Sequence, residues 1–216
     1  MPPSTEILSF LNSDLGAPQP LHISLSRPIV LSTAQKDEFL ERLVADLGGS
    51  SVRPFDLAPR ALAWHRTHES ARSFLVLRVA SAAPAVAVTA GDDPETANSR
   101  SGSSNPELTE LLRRCNKLVE SHGQPPLYAP RTSRADGNTP SAPDNAFHIS
   151  VAWSFADVDE SLRERTEEAF VADPALRRSV LAMRVRVDGI KAKIGNIVTH
   201  VALPARGSGG SSGKDV

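Results

Sequence analysis

The sequence predicts an α+β domain, and three observations carry that prediction. Period-two runs of apolar residues, the mark of half-buried strands, recur along the chain. They are interleaved with two strongly amphipathic helical stretches. Two of the strand-like segments are near copies of each other, LHISLS at Leu21–Ser26 and FHISVA at Phe147–Ala152. At 216 residues the chain is long enough for one domain with a core of its own.

The elements follow in order. Glu6–Leu15 reads as a helix. Pro20–Leu31 reads as a strand in which Leu21, Ile23 and Leu25 face a core and His22, Ser24 and Ser26 face away. Ser32 or Thr33 caps a helix whose stripe is Phe39, Leu40, Leu43, Val44 and Leu47, and Gly48-Gly49 ends it. Strands are expected at Val52–Leu57, Ala61–His65 and Phe74–Val79, the first two parted by a turn at Pro59-Arg60. Asn105-Pro106-Glu107 opens a second helix with Leu108, Leu111, Leu112, Cys115, Leu118 and Val119 inward and Gly123 as its stop. Phe147–Phe155 is a strand with Phe147, Ile149, Val151 and Trp153 inward, and Asp157–Ala172 a helix. Leu181–Val187 and Ile197–Leu203 are the last strands, with Asp188-Gly189 as a turn. The stretches at about 90–105 and 124–146 read as flexible insertions, and 206–216 as a disordered tail.

Composition narrows the function. A formal net charge of −1 argues against a broad polyanion-binding surface, while leaving room for a small groove that takes a strand end. The single cysteine, Cys115, rules out an internal disulfide framework and a multi-cysteine zinc site. No run of eighteen apolar residues is present, and Met1–Ser13 is neither basic nor apolar enough for a signal peptide. A soluble protein of a reducing compartment, not associated with membrane, is expected.

The chemistry sits in the repeated segment. A spacing of two on a strand puts His22 with Ser24, and His148 with Ser150, on one face each. Two such strands brought together supply two imidazoles for proton transfer and two hydroxyls to donate to a phosphate. Cleavage of RNA by its own 2′-hydroxyl needs a base for that hydroxyl and an acid for the departing 5′-oxygen. Histidine, with a pKa of roughly 6.5, suits both. Donors aimed at the non-bridging oxygens steady the developing charge.

These paired His-x-Ser segments resemble the two-histidine (2H) phosphoesterase superfamily. LHISLSRP, SFLVLRV, FHISVAW and IKAKIGN together resemble its U6 small nuclear RNA phosphodiesterase family, in that family's order, from about Leu21 to Pro204. The resemblance implies two lobes related by a pseudo-twofold in residues 1–205, one His-x-Ser strand in each. It implies a nuclear, metal-independent 3′-5′ exoribonuclease that trims the oligouridine end of U6 snRNA. The product is a 2′,3′-cyclic phosphate, which some members open to a monophosphate. It assigns catalysis to His22, His148, Ser24 and Ser150, with His148 leaning to base and His22 to acid, and base stacking to Tyr128. Lys191 and Lys193, alternating beside IGN, are candidate phosphate contacts. The partner is a single-stranded RNA 3′ end, no cofactor or metal is implied, and a monomer is expected. The family's tryptophan- and histidine-containing strand ahead of the first motif has no counterpart among the residues before His22, and a sheet edge is expected to be exposed there. That gap motivates one alternative, a non-catalytic RNA-binding remnant. Another is a 2H cyclic phosphodiesterase acting on a different small nucleotide or RNA substrate.

Other residues read as structural. His65 and His68 do not share a face and have no third ligand nearby, so they do not read as a metal site. His122 reads as a helix-end residue, His200 as a structural strand residue, and Trp64, Trp153 and Cys115 as core.

Overall fold

The computed structural model describes residues 6–66, 71–82, 104–128 and 146–205. The insertion 90–105 therefore lies outside them except at its end, as do most of 124–146, His68 and the tail.

One antiparallel sheet organises the molecule. Its strands are β1 (Leu8–Ser9), β2 (Phe55–Arg66), β3 (Ser73–Ser81), β4 (His148–Ser154) and β5 (Val185–Val187), in the order β1-β4-β3-β2-β5. A separate hairpin joins β6 (Gly189–Ile194) to β7 (Ile197–Ala202). Its two-residue loop is Gly195-Asn196, with Gly195 at φ 60° and Asn196 at negative φ. Glycine at the first loop position is what a II′ turn requires, so the K-x-G-N stretch forms the tip of this hairpin.

Two helices supply most of the core. Helix α1 (Gln35–Gly48) buries Phe39, Leu43 and Leu47, one residue per turn on a single stripe. Helix α2 (Pro106–Ser121) serves two clusters at once. Leu111, Cys115, Leu118 and Val119 join α1 with Val201 and Leu203, while Leu108 and Leu112 pack with Leu57, Val79, Phe147 and Ile149 of the sheet. Helices α3 (Glu160–Ala172) and α4 (Pro174–Ala182) lie against β2, where the buried Trp64 donates through Nε1 to Thr166 Oγ1 at 2.8 Å. His122 ends α2 with Nδ1 donating to Leu118 O at 2.9 Å. His200 lies 3.3 Å from Asp188, consistent with its structural reading.

Several expectations are corrected. Glu6–Leu15 is not a helix: Leu8 and Ser9 pair with Trp153 and Ala152, and Phe10 N donates to Val151 O at 2.9 Å. The apolar spacing there imitates a helix, but the open edge of β4 offers a ladder, and Asn12, Ser13, Asp14 and Gly16 favour the turn that follows. A short strand thus lies ahead of the first motif and covers the Val151–Trp153 part of the edge expected to be exposed. Pro20–Leu31 keeps its period of two, with Ile23, Leu25, Ile29 and Leu31 half-buried against the core, but no strand is formed among the described residues. Pro20 and Pro28 have no amide hydrogen to give a ladder; apolar packing holds the segment, helped by Val30 N donating to Gln124 Oε1 at 3.4 Å. Leu21 faces out, 39% exposed. Pro59-Arg60 is a β-bulge inside the long strand β2 rather than a turn. Leu181-Ala182 belong to α4, whose start was legible as Asp173-Pro174, a cap followed by proline. Val44 lies off the buried stripe of α1 at 49% exposed. Trp153 is not core: the Arg72 guanidinium lies 4.3 Å above its ring.

Candidate active site

The sheet register builds one side of the site. Phe74, Val76 and Arg78 alternate on one face of β3. On β2 the same face carries Ala61, Ala63 and His65, and on β4 it carries His148 and Ser150, with His148 directly opposite Arg78. A register shift between Leu75 and Val76 leaves Val151 as the extra residue of β4, so Trp153 rather than Ala152 shares the Phe74 side.

The other side comes from the chain's first described segment. After β1 the backbone loops out and returns, with Asn12 bridged to Pro18 and Gln19 N donating to Leu11 O at 2.9 Å. The chain then runs across the sheet face as Pro20–Ser24. The result is a cleft of about 360 Å³ lined by Phe10, Gln19, Pro20, Leu21, His22, Ser24, Phe74, His148 and Ser150. Both predicted His-x-Ser pairs therefore line the same cavity, although only the second pair sits on a strand.

His148 is the better defined of the two imidazoles. Its Nδ1 lies 2.7 Å from the Ala146 carbonyl, which can only accept, so Nδ1 carries the hydrogen and Nε2 keeps its lone pair. Burial pushes its pKa below the ordinary histidine value. The Ala146 hydrogen bond opposes that shift, and the nearby His65 and Arg78 add to it. The His65 ring lies 5.0 Å from the His148 ring, tilted by 40°. Burial, then the Arg78 charge, lowers His65 as well. Half-buried Arg78 has no hydrogen bond or ion pair with a carboxylate among the described residues. His22, by contrast, is exposed at the cleft mouth.

Other predicted residues lie elsewhere. Tyr128 does not line the cleft; its Oη donates to Ala146 O at 3.1 Å and its ring meets Phe147 edge-on at 6.4 Å. Its backbone sits at φ 61°, a left-handed conformation unusual for a bulky residue. Lys191 and Lys193 are exposed on the separate β6–β7 hairpin, opposite His200 and Val198, and do not line the cleft.

Sequence reasoning assigned no functional role to Phe10, Gln19, Phe74, His65 or Arg78. Phe74 and Arg78 were within reach, since both alternate along a correctly read strand. Phe10 and His65 depend on the β1–β4 pairing and on the bulge at Pro59, which no local pattern announces.

Chemically, the cleft offers two imidazoles, two hydroxyls and two phenyl rings. Comparisons with known proteins give the chain its relatives. U6 snRNA phosphodiesterase 1 of Neurospora crassa is 37% identical over 203 residues, 90% of this chain and 50% of that protein. The chain thus spans about half the length of the curated relative it matches. In fold, the chain is similar to Usb1 of Kluyveromyces marxianus, solved with uridine monophosphate, at a TM-score of 0.53 and 15% identity, covering 92% of this chain and 82% of that one. The sequence model of the HVSL family, described as an uncharacterised conserved protein, matches residues 2–202. A match that takes in β1, both His-x-Ser pairs and the β6–β7 hairpin leaves no element of the site outside it, and the chain belongs to the HVSL family.

Proposed function

We propose that this protein is an RNA phosphodiesterase that trims the oligouridine 3′ end of U6 snRNA in the nucleus, one nucleotide at a time. The observation that carries the reading is the convergence of His22, Ser24, His148 and Ser150 on one cleft. The relative named U6 snRNA phosphodiesterase 1 supports the substrate.

In this reading His148 is the base. Its Nδ1 is committed to Ala146 and its surroundings keep the ring neutral, so Nε2 is ready to take the proton of the penultimate 2′-hydroxyl. That oxygen attacks the adjacent phosphorus. The bond to the 5′-oxygen of the last nucleotide breaks, and His22 protonates the departing oxygen. Ser24 and Ser150 donate to the non-bridging oxygens as charge builds there. The products are a shortened chain ending in a 2′,3′-cyclic phosphate and a free nucleoside or nucleotide. No step calls on a cofactor, because acid, base and anion stabilisation all come from side chains.

The test uses a 5′-labelled oligoribonucleotide ending in several uridines, incubated in EDTA with the purified chain and with His148→Ala. Stepwise shortening by the parent alone, blocked by a 2′-deoxy sugar at the penultimate position, is the expected result. A folded parent that shortens nothing sinks the reading and favours a binding role for the cleft.

A further inference from the structure

We propose that His65 is a positioning residue for His148: it reaches across β3 and holds the imidazole of the base in place. This inference rests on the phosphodiesterase reading, in which His148 takes the proton of the 2′-hydroxyl.

The contact runs diagonally over the sheet. His65 is paired with Phe74 on β3, whereas His148 is paired with Arg78, further along the same strand. Val76 lies midway, opposite Ala63 on β2 and Ser150 on β4. Sheet twist brings one diagonal of such a face together. On this diagonal the two rings close to 5.0 Å between centroids, tilted by 40°. The small side chains of Ala63 and Ser150 leave the rings room to meet over Val76. Val76 is only 2% exposed, although it belongs to neither apolar cluster.

His148 needs such a neighbour. The outer torsion of a histidine side chain has only a broad preference, so the ring is oriented by what surrounds it. Its bond from Nδ1 to Ala146 O at 2.7 Å pins one edge. A ring pinned at one edge can still swing, and a misplacement of about 1 Å at the reacting nitrogen costs up to about a hundredfold in rate. His65 adds a second contact from a different strand. Its own imidazole makes no hydrogen bond or ion pair among the described residues, so packing against His148 is the part it plays there.

Three variants of the full chain test this. His65→Phe keeps a ring of similar reach. His65→Val keeps a β-branched residue that suits the strand but stops short of His148, and His65→Ala is the second short variant if the first does not fold. Trimming of a 5′-labelled oligouridine at pH 8, where the imidazoles are uncharged, separates position from charge. There the short variants should lose about tenfold in kcat with KM within about twofold, and His65→Phe should stay within about threefold of the parent. The acid limb should rise towards 6.5 in the short variants, which lose both burial and the neighbouring ring, and rise less in His65→Phe, which keeps the burial. Arg78, His22 and Tyr128, the other ionisable groups around His148 among the described residues, are the same in all three. A last readout needs no catalysis. The Nδ1–H proton resonance of His148 should be visible in the parent and in His65→Phe, and lost to exchange in the short variants. A short variant that trims and titrates like the parent overturns the proposal. So does a loss in His65→Phe equal to that in His65→Val, or a raised KM at unchanged kcat, which would place His65 on the RNA. A parent that trims no RNA but shows the Nδ1–H difference keeps His65 in its positioning role and removes the exonuclease reading instead.

Discussion

Tyr128 and His148 share one acceptor: Tyr128 Oη and His148 Nδ1 both donate to the Ala146 carbonyl, at 3.1 and 2.7 Å. The carbonyl fixes the tautomer of His148, and the phenol fixes the carbonyl. Tyr128→Phe removes one of the two bonds and leaves the acceptor satisfied, so stability should fall by only about 1 kcal/mol. Substrate KM should be unchanged, because the hydroxyl never reaches the cleft. Urea melts and steady-state trimming of an oligouridine substrate check both. A KM that rises in Tyr128→Ala but not in Tyr128→Phe would instead mean that the ring stacks on the substrate.

His148 and His65 make stability depend on pH. Both pKa values lie below the ordinary 6.5, chiefly because burial disfavours the charged ring. The unfolded chain therefore takes up protons near pH 6.5 that the folded chain accepts only at lower pH. Stability from this source is complete above the unfolded value and is lost as pH falls through the folded values. The urea midpoint should drop between pH 7.5 and pH 5.5 in the parent, and by less in a His65→Phe, His148→Phe double variant that still folds. A midpoint that does not move across this interval contradicts the assignment.

The same environment shapes the rate. A base must be neutral, so the acid limb of kcat/KM should lie below pH 6.5. Among the described residues, three ionisable groups besides Tyr128 neighbour His148: Arg78 across the ladder, His65 from β2 and His22 in the shared cleft. Arg78→Met removes the one permanent charge among them, and the acid limb should move to higher pH. At pH 6 the rate should fall by up to about fourfold, because burial still holds the ring below 6.5, with the pH 8 rate changed less than twofold. A uniform loss at every pH would show that Arg78 contacts the RNA phosphate instead.

Removing the proposed acid and base tests the pair directly. His22→Ala and His148→Ala should each cost about 100- to 10,000-fold in kcat, the usual range for general acid–base catalysis. Ser150→Ala should cost up to about a hundredfold through lost stabilisation of the phosphate. The double histidine variant should be little slower than the worse single one, because the two act in one step. Single-turnover trimming of a 5′-labelled substrate measures all four.

How much of this was legible in the sequence differs between the two halves of the site. FHISVAW declared its first half: Phe147 and Ile149 are buried and His148 and Ser150 line the cleft, while the register shift at Val151 takes Trp153 out of the core. LHISLS declared only its alternation: Ile23 and Leu25 pack inward and His22 and Ser24 face the cleft, yet no neighbouring strand takes up its amides. Periodicity reports which side of a chain is dry, not whether a ladder is made. Phe10 and His65 were hidden for a related reason. One depends on a two-residue strand completing the edge of β4. The other depends on a bulge that shifts the register of β2. Both are set by tertiary pairing, and neither leaves a local mark.

Gly189 shows where the hairpin tolerates no change. A Cβ built there would lie 2.3 Å from His200 Nε2 and 2.5 Å from the Val201 carbonyl oxygen. The His200 ring can swing away only by giving up its 3.3 Å contact with Asp188 Oδ1, and the backbone oxygen cannot move without breaking the β6–β7 ladder. Gly189→Ala should therefore destabilise by about 1–3 kcal/mol, as forced overpacking does. Gly48→Ala is the matched control. It ends α1 with nothing within 4 Å of a new Cβ, and alanine favours the helix by up to about 1 kcal/mol over glycine. Urea melts of the two variants should move in opposite directions from the parent. If Gly189→Ala melts with the parent, His200 does not rest on the hairpin as described, and the link between Asp188 and β7 has to be redrawn.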